Sequence, residues 1–468
     1  MSLMDILNFI CDNMWYVALV LIALLGIYCT IKLKGMQITD FKEMCRVTFS
    51  SEERKLTSKV SSFQVFCISM GSRIGVGNIS GPILAILVGG PGAIFWIWVF
   101  AIIGMATSFI ETSIGQLFKE RKADGEFRGG PAYNVKNGLN MKRLSIFVAV
   151  VMIAMYLLGF MSMEVSSMTE AFCGAFDFAY NNLVFGIVLS ILAILIFTGG
   201  LVKIAKLSVK IVPVMAILWI VVCIISIILS DGGVVNAVAM IFSNIFTVPS
   251  AVGGGLGAML VIGMKRGILS NEAGIGTIPN ISSISNVNHP ARQGYSQALG
   301  VFIDTILCTM TALVILSYGS IDSIMALDME SMPLLQEVLG TTIGSFAPYA
   351  VAVFMFIFAF TCMMSDFIIG ENNLSFITES RNARIAMYVF TVAVVFISCL
   401  MASDSLFVIV DIMLAICGII NVYVIARIGY LGFEVYKDYK RQKSEGVDNP
   451  VFKKSSLSNT SGITEWED

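Results

Sequence analysis

Long apolar runs recur along the whole chain, and they restrict its possible folds more than any other feature. A transmembrane helix needs about 20 mostly apolar residues. Eight uniform runs approach this length: residues 15–31, 93–110, 144–161, 183–198, 211–229, 298–316, 385–400 and 405–426. A less uniform run covers residues 342–369, and two runs interrupted by Gly, Pro and polar residues cover 63–89 and 252–284. The sequence therefore predicts an all-α membrane protein with about eleven transmembrane helices.

The composition argues against several functional classes. Hydrophobic residues make up 57% of the chain and charged residues 13%, against about 25% charged residues in soluble domains. The ten cysteines mostly lie inside apolar runs, and the single histidine, His289, cannot form a multi-histidine metal site. The sequence contains neither a Walker-type phosphate loop nor a basic domain. We therefore expect no enzymatic activity, no nucleic-acid partner and no cofactor beyond a coupling ion.

Basic residues mark one side of the predicted membrane protein. If the spans alternate and the N-terminus is outside, all 30 Lys and Arg lie on the cytoplasmic side except Arg73, Lys265 and Arg266, which fall in the interrupted runs. Acidic residues such as Glu164 then fall in outer loops. Because positive charge favours the cytoplasmic side, we expect a multi-pass protein with its N-terminus outside and its C-terminus in the cytoplasm.

The two interrupted runs occupy equivalent places in two halves of the chain. Each combines glycines with polar residues that are costly in hydrocarbon, such as Arg73 and Asn78 in the first run and Glu272 in the second. Each run opens a group of five spans, so the second group enters the membrane from the opposite side. This pattern predicts inverted repeats over about 60–232 and 250–432, with two broken helices at a midplane site. Glycine-mediated helix packing is the alternative interpretation.

Broken helices expose backbone groups that can bind ligands. The free N–H groups of a half-helix attract a carboxylate, and unwound carbonyl groups can coordinate a sodium ion or an ammonium group. A zwitterionic amino acid satisfies both ends of such a gap, which favours a secondary transporter. A channel is the more distant alternative, because it requires a continuous pore and no inverted repeat.

The chain divides into a membrane domain and a polar tail. Residues 1–435 hold all the apolar runs and are predicted to form a single transmembrane transporter domain. Residues 436–468 are polar and charged, with a Ser/Asn-rich stretch near the end. Such a composition buries too little apolar surface to fold alone, so we expect a disordered cytoplasmic tail.

Several motifs are similar to those of the alanine or glycine:cation symporter family, among them RGGPAYNVKNGL, KRGILSNEAGIGTIPN and GENNLSFI. They lie in residues 71–111, 128–139, 265–280, 289–305 and 370–377. The resemblance implies a LeuT-type fold in which spans 2–6 and 7–11 are the repeats. It also implies sodium-coupled symport of alanine, glycine or a similar small amino acid across a bacterial or archaeal plasma membrane, by alternating access. Proton coupling or a different amino acid selectivity is the alternative, and the oligomeric state is left open.

By motif position, the resemblance implies a substrate pocket built from three spans. The expected substrate-binding residues are Gly71, Ser72, Ile74, Gly75, Gly77, Asn78, Leu269, Ser270, Asn271, Glu272, Cys362, Met363, Ser365 and Asp366. The ion pathway is expected to involve Arg73, Thr361 and Asp304. Sodium would bind near Ser72 and Thr361, with its ligands left open.

Span 9 departs from the family pattern at the pocket wall. Family members usually carry a glycine, a Trp or Asn and several tyrosines after a Phe-Thr pair, whereas this chain has Cys-Met-Met-Ser-Asp at 362–366. An acid at the centre of a span costs about 2.5–3.5 kcal/mol, so Asp366 needs a cavity or a partner. Three roles are open for Asp366: an ion pair with Arg73, contact with a cationic group of the substrate, or proton coupling.

Overall fold

Helices provide nearly all the regular structure of this computed structural model, which describes residues 3–50, 60–122, 125–246, 255–401 and 404–468. In the first half of the chain the helices are α1 (Leu3–Lys32), α2 (Met36–Thr39), α3 (Phe41–Phe49), α4 (Ser62–Arg73), α5 (Val76–Gly89), α6 (Ala93–Leu117), α7 (Pro131–Tyr133), α8 (Lys142–Ala154), α9 (Met161–Ala175), α10 (Asn181–Phe197), α11 (Gly200–Leu229) and α12 (Gly233–Ser243). Two π-helical segments, Asn134–Gly138 and Met155–Phe160, follow α7 and α8. Two short strands, β1 (Glu120–Arg121) and β2 (Phe127–Arg128), pair antiparallel between α6 and α7.

The second half of the chain continues in the same all-helical way. Its helices are α13 (Gly255–Asn271), α14 (Pro279–Ser282), α15 (Pro290–Ser317), α16 (Ile321–Met325), α17 (Ser331–Ile343), α18 (Ala347–Ile377), α19 (Arg381–Leu400) and α20 (Asp404–Ser444). Single 3-10 turns lie at Gly344–Phe346 and Lys454–Ser456.

The first interrupted run forms two helices, as the sequence predicts. α4 ends at Arg73 and α5 begins at Val76, with Ile74 and Gly75 between them. The Asn78 side-chain oxygen accepts a hydrogen bond of 2.9 Å from the Gly75 N–H. Because this bond satisfies one of the free donors at the start of α5, the break is a capped helix end rather than a frayed one.

The second interrupted run is also broken, but its second helix is much shorter than the first. After Asn271 the chain turns through three residues with left-handed φ, Glu272 at 54°, Gly274 at 87° and Gly276 at 84°. Such φ values cannot continue a right-handed helix and are accessible mainly to glycine. The helix resumes at Pro279 for only four residues, so most of the part of the run between Asn271 and residue 284 is turn and loop.

Nine helical stretches in the described residues are long and apolar enough to cross a membrane. They match the predicted spans except 183–198, which corresponds to the 17-residue α10, and 252–284, which contains the 17-residue α13. The multi-pass all-α fold with two broken helices is therefore confirmed. The count of eleven spans and the orientation of the termini stay predictions.

The broken helices lie inside a bundle. α13 packs against α5 and α6, and α15 packs along the length of α6. α18 covers the first break by packing on α4 and on α9, while α1 pairs with α20 and α10 with α19 on the periphery. The ends that face the breaks, Arg73 and Asn271, are almost fully buried, at 1% and 2% exposure. A ligand at the breaks is thus surrounded by protein and not by lipid.

The C-terminal tail differs from the expectation of disorder. α20 extends to Ser444, beyond the predicted domain end, and the remaining residues fold back on the bundle. The Phe452 N–H donates to the Asn288 carbonyl and the Trp466 indole N–H to the Gln116 carbonyl, both at 2.9 Å. Beyond the end of α20, the tail contributes Phe452, Leu457, Ile463 and Trp466 to the buried apolar core. Sequence reasoning missed them because they stand singly among polar residues and have no helix or strand period.

Replacing Trp466 by alanine is expected to release the end of the tail. The Trp466 ring meets Phe452 edge to face, and its centre lies 5.0 Å from the Lys119 ammonium. Truncating such a buried aromatic costs roughly 3 kcal/mol. Limited proteolysis of the solubilised protein should then cleave Trp466→Ala within residues 445–468 faster than wild type. Val451→Ala, at an exposed position of the same segment, is the control. Equal cleavage of Trp466→Ala and Val451→Ala would mean that the indole does not hold the tail.

Candidate substrate site

The two helix breaks face each other and are joined by direct hydrogen bonds. The Ser72 hydroxyl donates to Glu272 Oε1 at 3.0 Å, and Arg73 Nε donates to the Asn271 carbonyl at 2.9 Å. The third predicted segment reaches the same place, because Cys362 Sγ lies 3.0 Å from the Gly71 carbonyl, to which it donates. The structure therefore brings together residues that are about 90 to 290 positions apart in sequence.

Arg73 ties the first break to three other helices. Beyond Asn271, its Nη1 donates to the Gln297 carbonyl at 3.2 Å and to Gln297 Oε1 at 3.0 Å, and its Nη2 donates to the Ser108 hydroxyl at 3.3 Å. The ion pair with Asp366 that the sequence left open is wrong: among the described residues, no salt bridge joins the two. Arg73 therefore braces the site, and its expected part in an ion pathway stays a prediction.

Asp304 joins the two broken helices from α15. Asn78 Nδ2 donates to Asp304 Oδ1 at 2.6 Å, and the Ser270 hydroxyl donates to Asp304 Oδ2 at 3.0 Å. Both carboxyl oxygens thus have protein partners, one on α5 and one on α13. This arrangement gives Asp304 a structural role in holding the breaks together, and its expected part in an ion pathway stays a prediction.

Glu164 and Tyr156 belong to the site and were missed from the sequence. The apolar run ends at residue 161, which placed Glu164 in an outer loop, but α9 continues to Ala175 and Glu164 is 4% exposed. The Val76 N–H at the start of α5 donates to Glu164 Oε2 at 3.4 Å, and the Tyr156 hydroxyl donates to Glu272 Oε2. Tyr156 lies in the π-helical segment, a feature often found at functional sites that sequence periodicity does not reveal.

Other expected residues fill structural positions around the break. The Thr361 hydroxyl donates to the Phe358 carbonyl at 2.9 Å, and the Ser365 hydroxyl donates to the Ile68 carbonyl at 2.8 Å. Met363 is buried in the apolar core. The Ser72 and Thr361 hydroxyls have separate partners, and the expected sodium site near them stays a prediction.

A cavity of about 510 Å³ lies beside the first break. Gly77 and Leu269 line it near the break, and Met163 of α9 with Glu330 and Met332 at the start of α17 also line it. Ser80, Glu170 and Arg266 add polar groups to its wall. The cavity is large enough for a small polar solute and lies next to the start of α5.

Comparisons with known proteins agree with this geometry. A sequence profile described as the sodium:alanine symporter family matches residues 1–454. The chain is 38% identical to the amino-acid carrier protein AlsT of Bacillus subtilis, over 99% of this chain and 98% of that protein. It is 36% identical to a probable sodium/glutamine symporter of the same organism, over 97% of this chain and 94% of that protein. It is also 31% identical to a sodium/proton-dependent alanine carrier of Bacillus sp. strain PS3, over 87% of this chain and 96% of that protein.

A solved structure shares the fold at low sequence identity. MhsT in complex with L-phenylalanine superposes with a TM-score of 0.53 and 14% identity, covering 86% of this chain and 92% of that chain. This similarity supports the LeuT-type architecture of two broken helices inside a bundle. With the profile match over nearly the whole chain, the conclusion is direct: the chain belongs to the sodium:alanine symporter family.

Proposed function

We propose that this protein carries a small neutral amino acid, such as alanine or glycine, across the plasma membrane together with sodium, by alternating access. The observation that carries the proposal is the meeting of the two breaks, where Ser72 and Arg73 bond directly to Glu272 and Asn271. The site thereby places backbone donors and carboxylate acceptors in one buried space. Family membership supports amino acid and cation symport as the reaction class.

The start of α5 supplies the anion end of the proposed substrate site. Free N–H groups at a helix N-terminus attract a carboxylate, and the Val76 N–H is already bonded to the carboxyl group of Glu164, at a long 3.4 Å. Glu164 thus occupies the place that a substrate carboxylate would take. Binding of an amino acid would exchange one carboxylate for another at the same N–H groups.

Carbonyl and carboxyl oxygens supply the cation end. The Gly71 carbonyl lies in the last turn of α4, and Glu272 directly follows the end of α13. Cys362 contacts the first and Ser72 the second. Oxygen ligands of this kind suit the hard sodium ion and a substrate ammonium group equally well. The relatives named as sodium symporters support sodium as the coupling ion.

The two sides of the membrane are assigned by charge. Of the 30 Lys and Arg, three lie in the two broken spans, and we place the others in the cytoplasm with the C-terminus. The cavity lined by Gly77 and Glu330 would then open outside, and the tail anchored at Trp466 would lie inside. Residues 60–232 and 250–432 are the proposed repeats that move relative to each other.

Uptake is expected to depend on sodium. Purified protein in proteoliposomes should concentrate labelled alanine under an inward sodium gradient. Replacing external sodium by choline should lower the initial rate about tenfold or more, within the 5- to 150-fold range of ordinary ligand coupling. A proton gradient imposed without sodium serves as the control for the alternative. Equal rates in sodium and choline would contradict sodium coupling, and alanine that only equilibrates would indicate a channel.

A further inference from the structure

Acidic side chains outnumber basic ones around the breaks. Five buried carboxyl groups lie there, with Arg73 as the nearby base, and their exposures are between 1% and 4%: Glu111, Glu164, Glu272, Asp304 and Asp366. Buried charges need partners, since an unpaired one in a low-dielectric interior is costly. Each of these carboxyl groups therefore needs a hydrogen-bond donor or a positive charge nearby.

Four of the five have donors within the protein. Glu111 accepts from the Gly276 N–H at 3.1 Å and from Asn421 Nδ2 at 2.9 Å. Glu272, Asp304 and Glu164 accept the hydrogen bonds described above. Asp366 is the exception, because its Oδ2 atom is buried and has no hydrogen-bond partner among the described residues.

Asp366 faces the substrate site. It lies one helical turn beyond Cys362 on α18, so both side chains project from the same face of the helix, and Cys362 touches the first break. The Asp366 carboxyl group interacts electrostatically with Glu164 and Glu272. Three carboxyl groups thus lie near one another, Glu164 on α9, Glu272 just after α13 and Asp366 on α18, while the Arg73 donors point to Asn271, Gln297 and Ser108.

We propose that Asp366 and Glu164 form a subsite for a second ammonium group on the substrate, so that the protein also accepts short diamino acids. The inference rests on the proposed function, because it places the ligand in the same site. The α-carboxylate would bind at Val76 and displace Glu164, which then becomes free to meet the added ammonium group together with Asp366.

The length of the substrate follows from the helix geometry. Cys362 marks the level of the break, and Asp366 lies about 5–6 Å further along α18. A side chain of two or three methylene groups carries its terminal nitrogen across roughly that distance. 2,4-Diaminobutyrate and ornithine are therefore the fitting probes, and 2-aminobutyrate is the matched neutral compound.

Competition for labelled alanine uptake tests the subsite in wild-type proteoliposomes. 2,4-Diaminobutyrate or ornithine should inhibit at concentrations about 10- to 100-fold lower than 2-aminobutyrate, the range of one charge-assisted hydrogen bond in a buried site. Equal inhibition by diamino and neutral compounds would overturn the inference. Failure to accumulate alanine at all would instead overturn the proposed function, so the two failures are distinguishable.

Two variants connect the preference to Asp366. Asp366→Asn should bring the ratio between the inhibitory concentrations of the neutral and diamino compounds close to one, whereas Asp366→Glu should retain a preference for the diamino compounds. Asp177→Asn, which removes an acid at an exposed position, is the matched control and should keep the wild-type ratio. A wild-type ratio in Asp366→Asn, or a changed sodium or pH dependence without a changed ratio, would assign Asp366 to the coupling ion or proton and overturn the inference.

Discussion

Gly75→Ala is expected to lower amino acid uptake about 10- to 100-fold. A Cβ atom at Gly75 would collide with Cys362 Sγ and lie 3.0 Å and 3.4 Å from the two carboxyl oxygens of Glu164. Cys362 cannot yield freely because its Sγ is bonded to the Gly71 carbonyl. Overpacking of this kind costs typically 1–3 kcal/mol, which corresponds to that loss of affinity. Initial rates of labelled alanine uptake at equal protein density measure the effect.

Two other glycines separate the steric effect from a general intolerance of side chains. At Gly77 an added Cβ would lie 3.4 Å from Ser270 Cα, an ordinary contact, so Gly77→Ala should impair uptake less than Gly75→Ala. At Gly340 no atom lies within 4 Å of an added Cβ, so Gly340→Ala should transport like wild type. If Gly75→Ala transports at the rate of Gly340→Ala, the close approach of α18 to the break is not required for transport.

The sequence predicted the parts of the fold that follow from composition and period. Apolar length identified the membrane helices, and glycines beside Arg73, Asn78 and Glu272 identified both breaks. These signals are local, because a helix that contains such residues cannot pass through lipid without a polar neighbour. The pairing of the two breaks with each other was also predictable, since an inverted repeat places them together.

The partners of individual side chains were not predictable in the same way. An ion pair between Arg73 and Asp366 was one of three open roles, suggested by charge alone, but the structure satisfies Arg73 with carbonyl and amide oxygens of Asn271 and Gln297. Glu164 was assigned to a loop because the apolar run ends at residue 161, whereas α9 continues through Glu164 to Ala175. Which donor a buried group finds depends on contacts between distant helices, and no sequence period encodes those contacts.

The fold of the C-terminal tail was also not predictable from its composition. Its composition predicts disorder, yet Phe452 and Trp466 bind to main-chain carbonyls of the membrane domain. Single buried side chains of this kind show no sequence period, and they stabilise the tail only because the membrane domain offers a surface on which they pack. Composition predicts how the segment behaves in isolation, and packing on the membrane domain can order a segment that would be disordered alone.

Arg73→Ala is expected to be the most destabilising single change in the membrane domain. It would remove donors to Asn271, Gln297 and Ser108 at once and leave Glu272 and Asp304 without their nearby positive charge. Removing one partner of a buried charge network costs roughly 3–5 kcal/mol. The expected results are a lower yield of folded protein, a lower unfolding temperature in detergent, and no measurable uptake. Arg266→Ala, at a half-buried cavity position, should change the unfolding temperature much less.

Arg73→Lys separates the charge of Arg73 from its geometry. Lysine keeps the positive charge but has one compact ammonium group in place of the planar guanidinium group, whose donors reach three helices. Gly300 leaves room for the guanidinium, since a Cβ there would collide with Arg73 Nη1, and a lysine would leave that space partly empty. If charge balance is the main role, Arg73→Lys should recover most of the unfolding temperature lost in Arg73→Ala. If bracing dominates, Arg73→Lys should stay close to Arg73→Ala in both stability and uptake. We expect the second outcome, because every hydrogen bond of Arg73 described above ends on a neutral oxygen.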